Sequence, residues 1–142
     1  MSDRQPVLVD SSVWVEALRT GGDPEVGDEY RRVMLADRGV TCDIIVAEVL
    51  QGARFPAEFE RLRVDLLAIP CLPMTASIGL RMGEWGYRLA RKGITAASSD
   101  LVIATLAVEN DALLLHRDKH FEAMAEVMGL TCRTAVGVGG GA

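Results

Sequence analysis

The sequence predicts an α/β fold built on a short, mostly parallel sheet with helices on both faces. Two observations lead there. Brief apolar runs such as "VLV", "VTC" and "ALLLH" read as buried strands, and the stretches between them carry apolar residues at helical spacing. Their regular alternation is the pattern of a parallel sheet, in which ligands collect beyond the carboxyl ends of the strands.

Taken in order, residues 7–10 form an apolar strand ending in Asp10, and residues 12–20 a helix with Val13, Ala17 and Leu18 inward. A polar helix covers 24–37. "VTCD" (40–43) is a second strand, and "IIVAEVLQGA" a helix starting behind Asp43 as its cap. "FPAEFERLRVDLL" continues in helical register. "AIPCLP", bounded by prolines, is a short strand, and residues 75–92 form a long amphipathic helix closed by Gly93. "SSDLVIATLAVEN" is a helix capped by serine, "ALLLH" a strand, "KHFEAMAEVMG" a helix ending at glycine, and "TCRT" a last strand.

Size and composition bound the rest. With 142 residues, 49% of them hydrophobic, the chain suits one domain over 1–136 followed by a flexible glycine-rich tail over 137–142. No apolar stretch approaches the length of a membrane span, and "MSDRQP" lacks the basic and apolar regions of a secretory signal, so a cytoplasmic location is expected. Cys42, Cys71 and Cys132 are odd in number and far apart, and read as reduced core residues. A formal charge of −5 runs against the basic surface that nucleic-acid binding normally draws on. Carboxylates clustered around cations would contribute to that charge while being offset locally.

Four acids carry the chemistry. Glu48 lies mid-helix, with Ile44, Ile45, Gln51 and Gly52 at helical spacing, a mostly apolar surround that offers no basic partner. Asp100 begins an apolar helix beside Ala96, Ala97, Ile103 and Ala104, small enough to let another element approach. Asp10 ends the first strand, and Asp118 follows "ALLLH" by two residues. Singly, Asp10 and Asp118 also read as helix caps and Asp100 as a first-turn acid on a helix dipole. Glu48 has no such alternative. Two carboxylates about 4 Å apart repel by roughly 4 kcal/mol at an effective dielectric near 20, so four together require cations. Magnesium, which takes oxygen ligands and keeps several waters, suits such a cluster.

The segments "VDSSVW", "VAEVLQGA", "SSDLVIATLA" and "LLLHRDKHFE", in this order, resemble the motifs of PIN-domain ribonucleases, specifically VapC toxins of toxin–antitoxin pairs. The resemblance covers nearly the whole chain and implies a PIN-like three-layer fold and a metal-dependent endoribonuclease using Mg2+, with Mn2+ as the alternative. It further implies an RNA substrate, a small VapB-type antitoxin as inhibitor, and a homodimer. Carried across residue by residue, Asp10, Glu48, Asp100 and Asp118 match the family's acidic quartet and metal ligands, and Ser12 its hydroxyl residue near the first acid. His116 departs from the family, which often has threonine or serine there.

Other readings compete. His116 and His120 are four apart but straddle a strand end and a helix start, unlike a zinc-binding HExxH pair. Trp14, Trp85, Phe121 and Met82, Met124 and Met128 fall in apolar patterns and read as core. Arg91, Lys92, Arg117 and Lys119 are candidate phosphate contacts, with a solvated surface as the simpler role for each. An aspartate-nucleophile phosphatase needs a second acid two residues beyond the first, where Ser12 stands. A PIN-like module that binds RNA or protein without cutting is the non-enzymatic alternative. Antitoxin contact is expected along helices 24–37 and 43–66.

Overall fold

The computed structural model describes residues 4–135. Five strands, β1 (Val7–Val9), β2 (Gly39–Cys42), β3 (Cys71–Leu72), β4 (Leu113–His116) and β5 (Cys132–Thr134), line up in the order β3-β2-β1-β4-β5. Every pairing is parallel, so the sheet goes beyond the mostly parallel one expected. Val7, Leu8 and Val9 pair with Leu113, Leu114 and Leu115, and all six are at most 2% exposed. Strands covered on both faces need no polar alternate positions, which is why they read as continuous apolar runs.

Helices α1 (Ser11–Leu18), α2 (Pro24–Leu35), α3 (Asp43–Gln51) and α4 (Pro56–Leu67) pack as one group. Helices α5 (Ala76–Arg91), α6 (Ser98–Glu109) and α7 (His120–Met128) form the other. Chain order explains the split. The first crossovers step from β1 to β2 to β3 and the later ones step the opposite way, and right-handed connections then fall on opposite faces. Trp14, Tyr30, Ile45 and Leu62 fill the core on one side, and Ile103, Leu106, Phe121 and Met124 lie on helices of the other. Gly86 of α5 lets α6 come close, since a Cβ there would stand 3.1 Å from a methyl of Leu101.

Several local expectations need correction. Residues 44–67 are two helices, because Phe55 is extended (φ −154°) and Pro56 opens α4 as its first residue. The strand β2 runs to Cys42, which takes the N-cap position of α3 and leaves Asp43 in the first turn. Ala97, not a serine, caps α6. Asp10 belongs to the cap of α1 and not to β1. Of the cysteines only Cys42 is buried, while Cys71 is exposed and Cys132 intermediate, and all three are free thiols. Trp85 and Met82 are partly buried against the core. The closures by glycine do occur: Gly93 and Gly129 follow α5 and α7 at φ 77° and 67°, where a side chain would be strained. Among the described residues no helix is long and apolar enough to cross a membrane. The tail expected over 137–142 lies outside them.

Candidate metal centre

Because all strands point the same way, the turns that follow β1, β2 and β4 open at one edge of the sheet. The chain steps to one side of β1 to make β2 and later returns to its other side as β4, so the β1–β4 crevice is the switch point of the sheet. The N–H of Asp10 still donates to Leu115 O (2.9 Å), continuing the β1–β4 ladder to the rim of that crevice.

Asp10 is 5% exposed. Its Oδ2 accepts the N–H of Ser12 (3.2 Å) and the Ser12 hydroxyl (2.5 Å), so the capping role and the place in the crevice coincide. Ser12 Oγ also accepts the N–H of Arg117 (3.1 Å), joining the turn after β1 to the turn after β4. Glu48 reaches the same edge from α3, where the Ser11 hydroxyl donates to its Oε1 (3.2 Å). Burial pushes the Glu48 carboxyl above the ordinary range; Ser11 opposes the shift, and Asp10 and Asp100 add to it.

Asp100 sits in the first turn of α6, which touches α3. Its carboxyl is also raised, by burial and then by Asp118 and Asp10, with His120 acting the other way. Asp118 Oδ1 accepts the N–H of His120 (2.9 Å), which turns the chain into α7. The same turn folds the His120 ring back, placing Nδ1 3.1 Å from Asp118 Oδ1 and 3.7 Å from Asp100 Oδ2. The donor atoms of Asp100, Asp118 and His120 all lie within 4.8 Å of one another. Among the described residues Asp10 and Glu48 complete no triad that tight, and join the others through their mutual repulsion.

The two histidines are unlike each other. His116 is fully buried and its Nδ1 accepts the N–H of Asp118 (3.1 Å), while the His120 side chain is 78% exposed. Burial holds His116 below the ordinary imidazole range, so the ring is neutral and its single proton is on Nε2. That nitrogen faces Glu122 Oε1 at 3.4 Å, and Glu122 in turn accepts from the Thr134 hydroxyl (2.9 Å). With no lone pair on Nε2, the nearby His116, Glu122 and Cys132 form a supporting group under Asp118 and not a ligand set.

Ser11 is a neighbour of the site that sequence reasoning does not single out, and its bond to a residue 37 positions away exists only in the fold. The sequence offers His120 only as half of a zinc pair with His116, and the structure sets it instead beside Asp100 and Asp118. Of the basic candidates, Arg117 donates to Ala135 O (3.2 Å) and Arg91 stacks on Tyr87, which fits the surface roles first assigned them.

Comparison with known proteins places the chain: the PIN domain model matches residues 7–127. The chain belongs to the PIN-domain family. Within it, the chain stands with the VapC members: it is 34% identical over 128 residues to "Ribonuclease VapC11" of Mycobacterium tuberculosis, covering 87% of this chain and 95% of that one. "Ribonuclease VapC18" of the same organism is 28% identical over 125 residues, 85% of this chain and 88% of the relative. Among solved structures, VapBC2 from Rickettsia felis bound to a promoter DNA fragment superposes with a TM-score of 0.74 at 18% identity, over 92% of this chain and 98% of that one. FitAB bound to the IR36 DNA fragment gives 0.76 at 19%, over 91% and 94%. At such identities the superpositions speak for the fold alone.

Proposed function

We propose that the protein is a metal-dependent endoribonuclease that hydrolyses RNA phosphodiester bonds and is neutralised by a cognate antitoxin. The observation that carries the reading is the convergence of Asp10, Glu48, Asp100 and Asp118 on one crevice, with Glu48 and Asp100 both raised by burial and, further, by their acidic neighbours. Such mutual repulsion is what a divalent cation relieves, and an oxygen-rich, partly open donor set fits Mg2+ or Mn2+. The ribonuclease names of the relatives support the same reading.

Asp10, Asp100 and Asp118 are the residues that would hold the cation, with Glu48 behind them. When bound, the metal supplies a water of lowered pKa and charge stabilisation for the leaving oxygen. Ser12 fixes Asp10 and, through Arg117, keeps the two turns in register. Ser11 sets the rotamer of Glu48, whose raised pKa suits it to take a proton from an attacking water. No protein nucleophile is required. The test is cleavage of RNA with Mg2+ or Mn2+ against the same reaction in chelator. Equal outcomes in the two arms, or no cleavage of any RNA, would favour the non-catalytic binding module.

For the antitoxin, a groove of about 210 Å³ between α1, α3 and α4 is lined by Trp14, Leu18, Val49 and Leu62, with Arg19, Arg61 and the Arg54–Glu58 pair beside them. Phe55 and Phe59 are exposed on the adjoining α4. An apolar anchor carried by an acidic segment fits this lining. Co-purification of a co-encoded small protein, lost on Leu18→Asp, is the expected result. A homodimer is part of the same proposal, and the mass of the isolated chain in solution tests it.

A further inference from the structure

Beside the quartet stands a ring nitrogen, the Nδ1 of His120, which faces both Asp100 and Asp118. We propose that His120 is a nitrogen ligand to the metal, binding between Asp100 and Asp118 and turning the site toward Mn2+ over Mg2+. The inference rests on reading the acidic cluster as a metal centre.

Geometry is the first support. Adjacent ligands of an octahedral ion with bonds near 2.1 Å stand about 3.0 Å apart. Nδ1 is 3.1 Å from Asp118 Oδ1 and 3.7 Å from Asp100 Oδ2, spacings close to those that neighbouring ligands of one such ion would have. Backbone is the second. Because the His120 N–H bonds Asp118 Oδ1, the turn that fixes the carboxylate also fixes the root of the imidazole. Exposure is the third. A side chain 78% exposed has no packing reason to lie against two carboxylates, and His116, the histidine that does pack, is a separate group.

Chemistry then selects the ion. Magnesium takes hard oxygen ligands and binds imidazole poorly, whereas manganese accepts oxygen and nitrogen in the same octahedral geometry. An all-carboxylate version of this crevice would serve either ion; one nitrogen ligand separates them.

The experiment measures metal binding directly, using the full chain without RNA. Mn2+ and Mg2+ affinities are taken by calorimetry for the wild type, His120→Ala and Asp100→Asn, and pulsed electron paramagnetic resonance reads nitrogen coupling to bound Mn2+. Expected are an imidazole nitrogen signal in the wild type, its disappearance in His120→Ala, and a loss of Mn2+ affinity of about tenfold or more with Mg2+ affinity nearly unchanged. The proposal is overturned if the signal is absent from the wild type or survives in His120→Ala. It is equally overturned if affinity for both ions changes together, upward for the loss of a competing cation or downward for a looser Asp118. Asp100→Asn must weaken both ions, otherwise the metal centre itself is misplaced and His120 with it. Intact nitrogen-ligated binding without RNA cleavage would count against the ribonuclease reading alone.

Discussion

The crevice has two halves that are held in different ways. Asp10 and Glu48 are each fixed by a neutral hydroxyl from the same turn, Ser12 and Ser11, and Asp10 is nearly buried. Asp100 and Asp118 lie around an exposed imidazole, and of the two only Asp118 is seen to accept a backbone N–H, that of His120. The hydroxyl half is held by its own hydrogen bonds, whereas His120 leaves the other half open to solvent. Under the proposed metal-centre reading, the first half would orient and the second half would exchange ligands.

Removing a charge from either half should produce the largest effect. Asp10→Asn and Asp100→Asn are expected to lower RNA cleavage by more than about 100-fold, beyond the range of a supporting residue, with an unchanged circular dichroism spectrum. Activity retained in both would end the shared-cation account. Next comes Ser12→Ala, which unties Asp10 from the turn after β4 and should cost about 10–100-fold in metal affinity, measured by calorimetry. Ser11→Ala should do less, about tenfold in turnover, since Glu48 loses orientation but no covalent neighbour moves. A Ser11→Ala loss larger than that of Ser12→Ala would reverse the ranking of the two acids.

The smallest effect is thermodynamic. Glu48 and Asp100 bind protons more tightly in the folded than in the unfolded chain, because burial and neighbouring acids disfavour their charge. Their contribution favours the fold below the unfolded carboxylate range, near pH 4, and is lost as pH rises through the raised folded values. Without metal, Asp100→Asn should therefore melt higher than the wild type at neutral pH, with the gap closing on acidification. Added Mn2+ should reverse the order. A gap independent of pH would mean that Asp100 is not under charge strain.

The buried half of the molecule was the more legible in sequence. Val7–Val9 and Leu113–His116 announce themselves as apolar runs because both faces are covered, and Glu48 stood out because mid-helix it had no capping role to fall back on. The break between α3 and α4 was present in the letters as Phe55-Pro56, but the periodicity on either side masked it. Ser11 was not legible as a site residue, because its partner depends on a helix docking 37 positions away. His120 was legible only as a partner of His116, because the two-residue chain reversal that sets it beside Asp118 leaves no spacing to detect.

One bond has a consequence for the order in which the crevice can be built. The hydroxyl of Ser12 meets the backbone of Arg117, 105 residues later, and β1 has β4 as a central neighbour. A growing chain holds half a crevice until Arg117 has been made, and contacts so far apart in sequence are intrinsically slow to form.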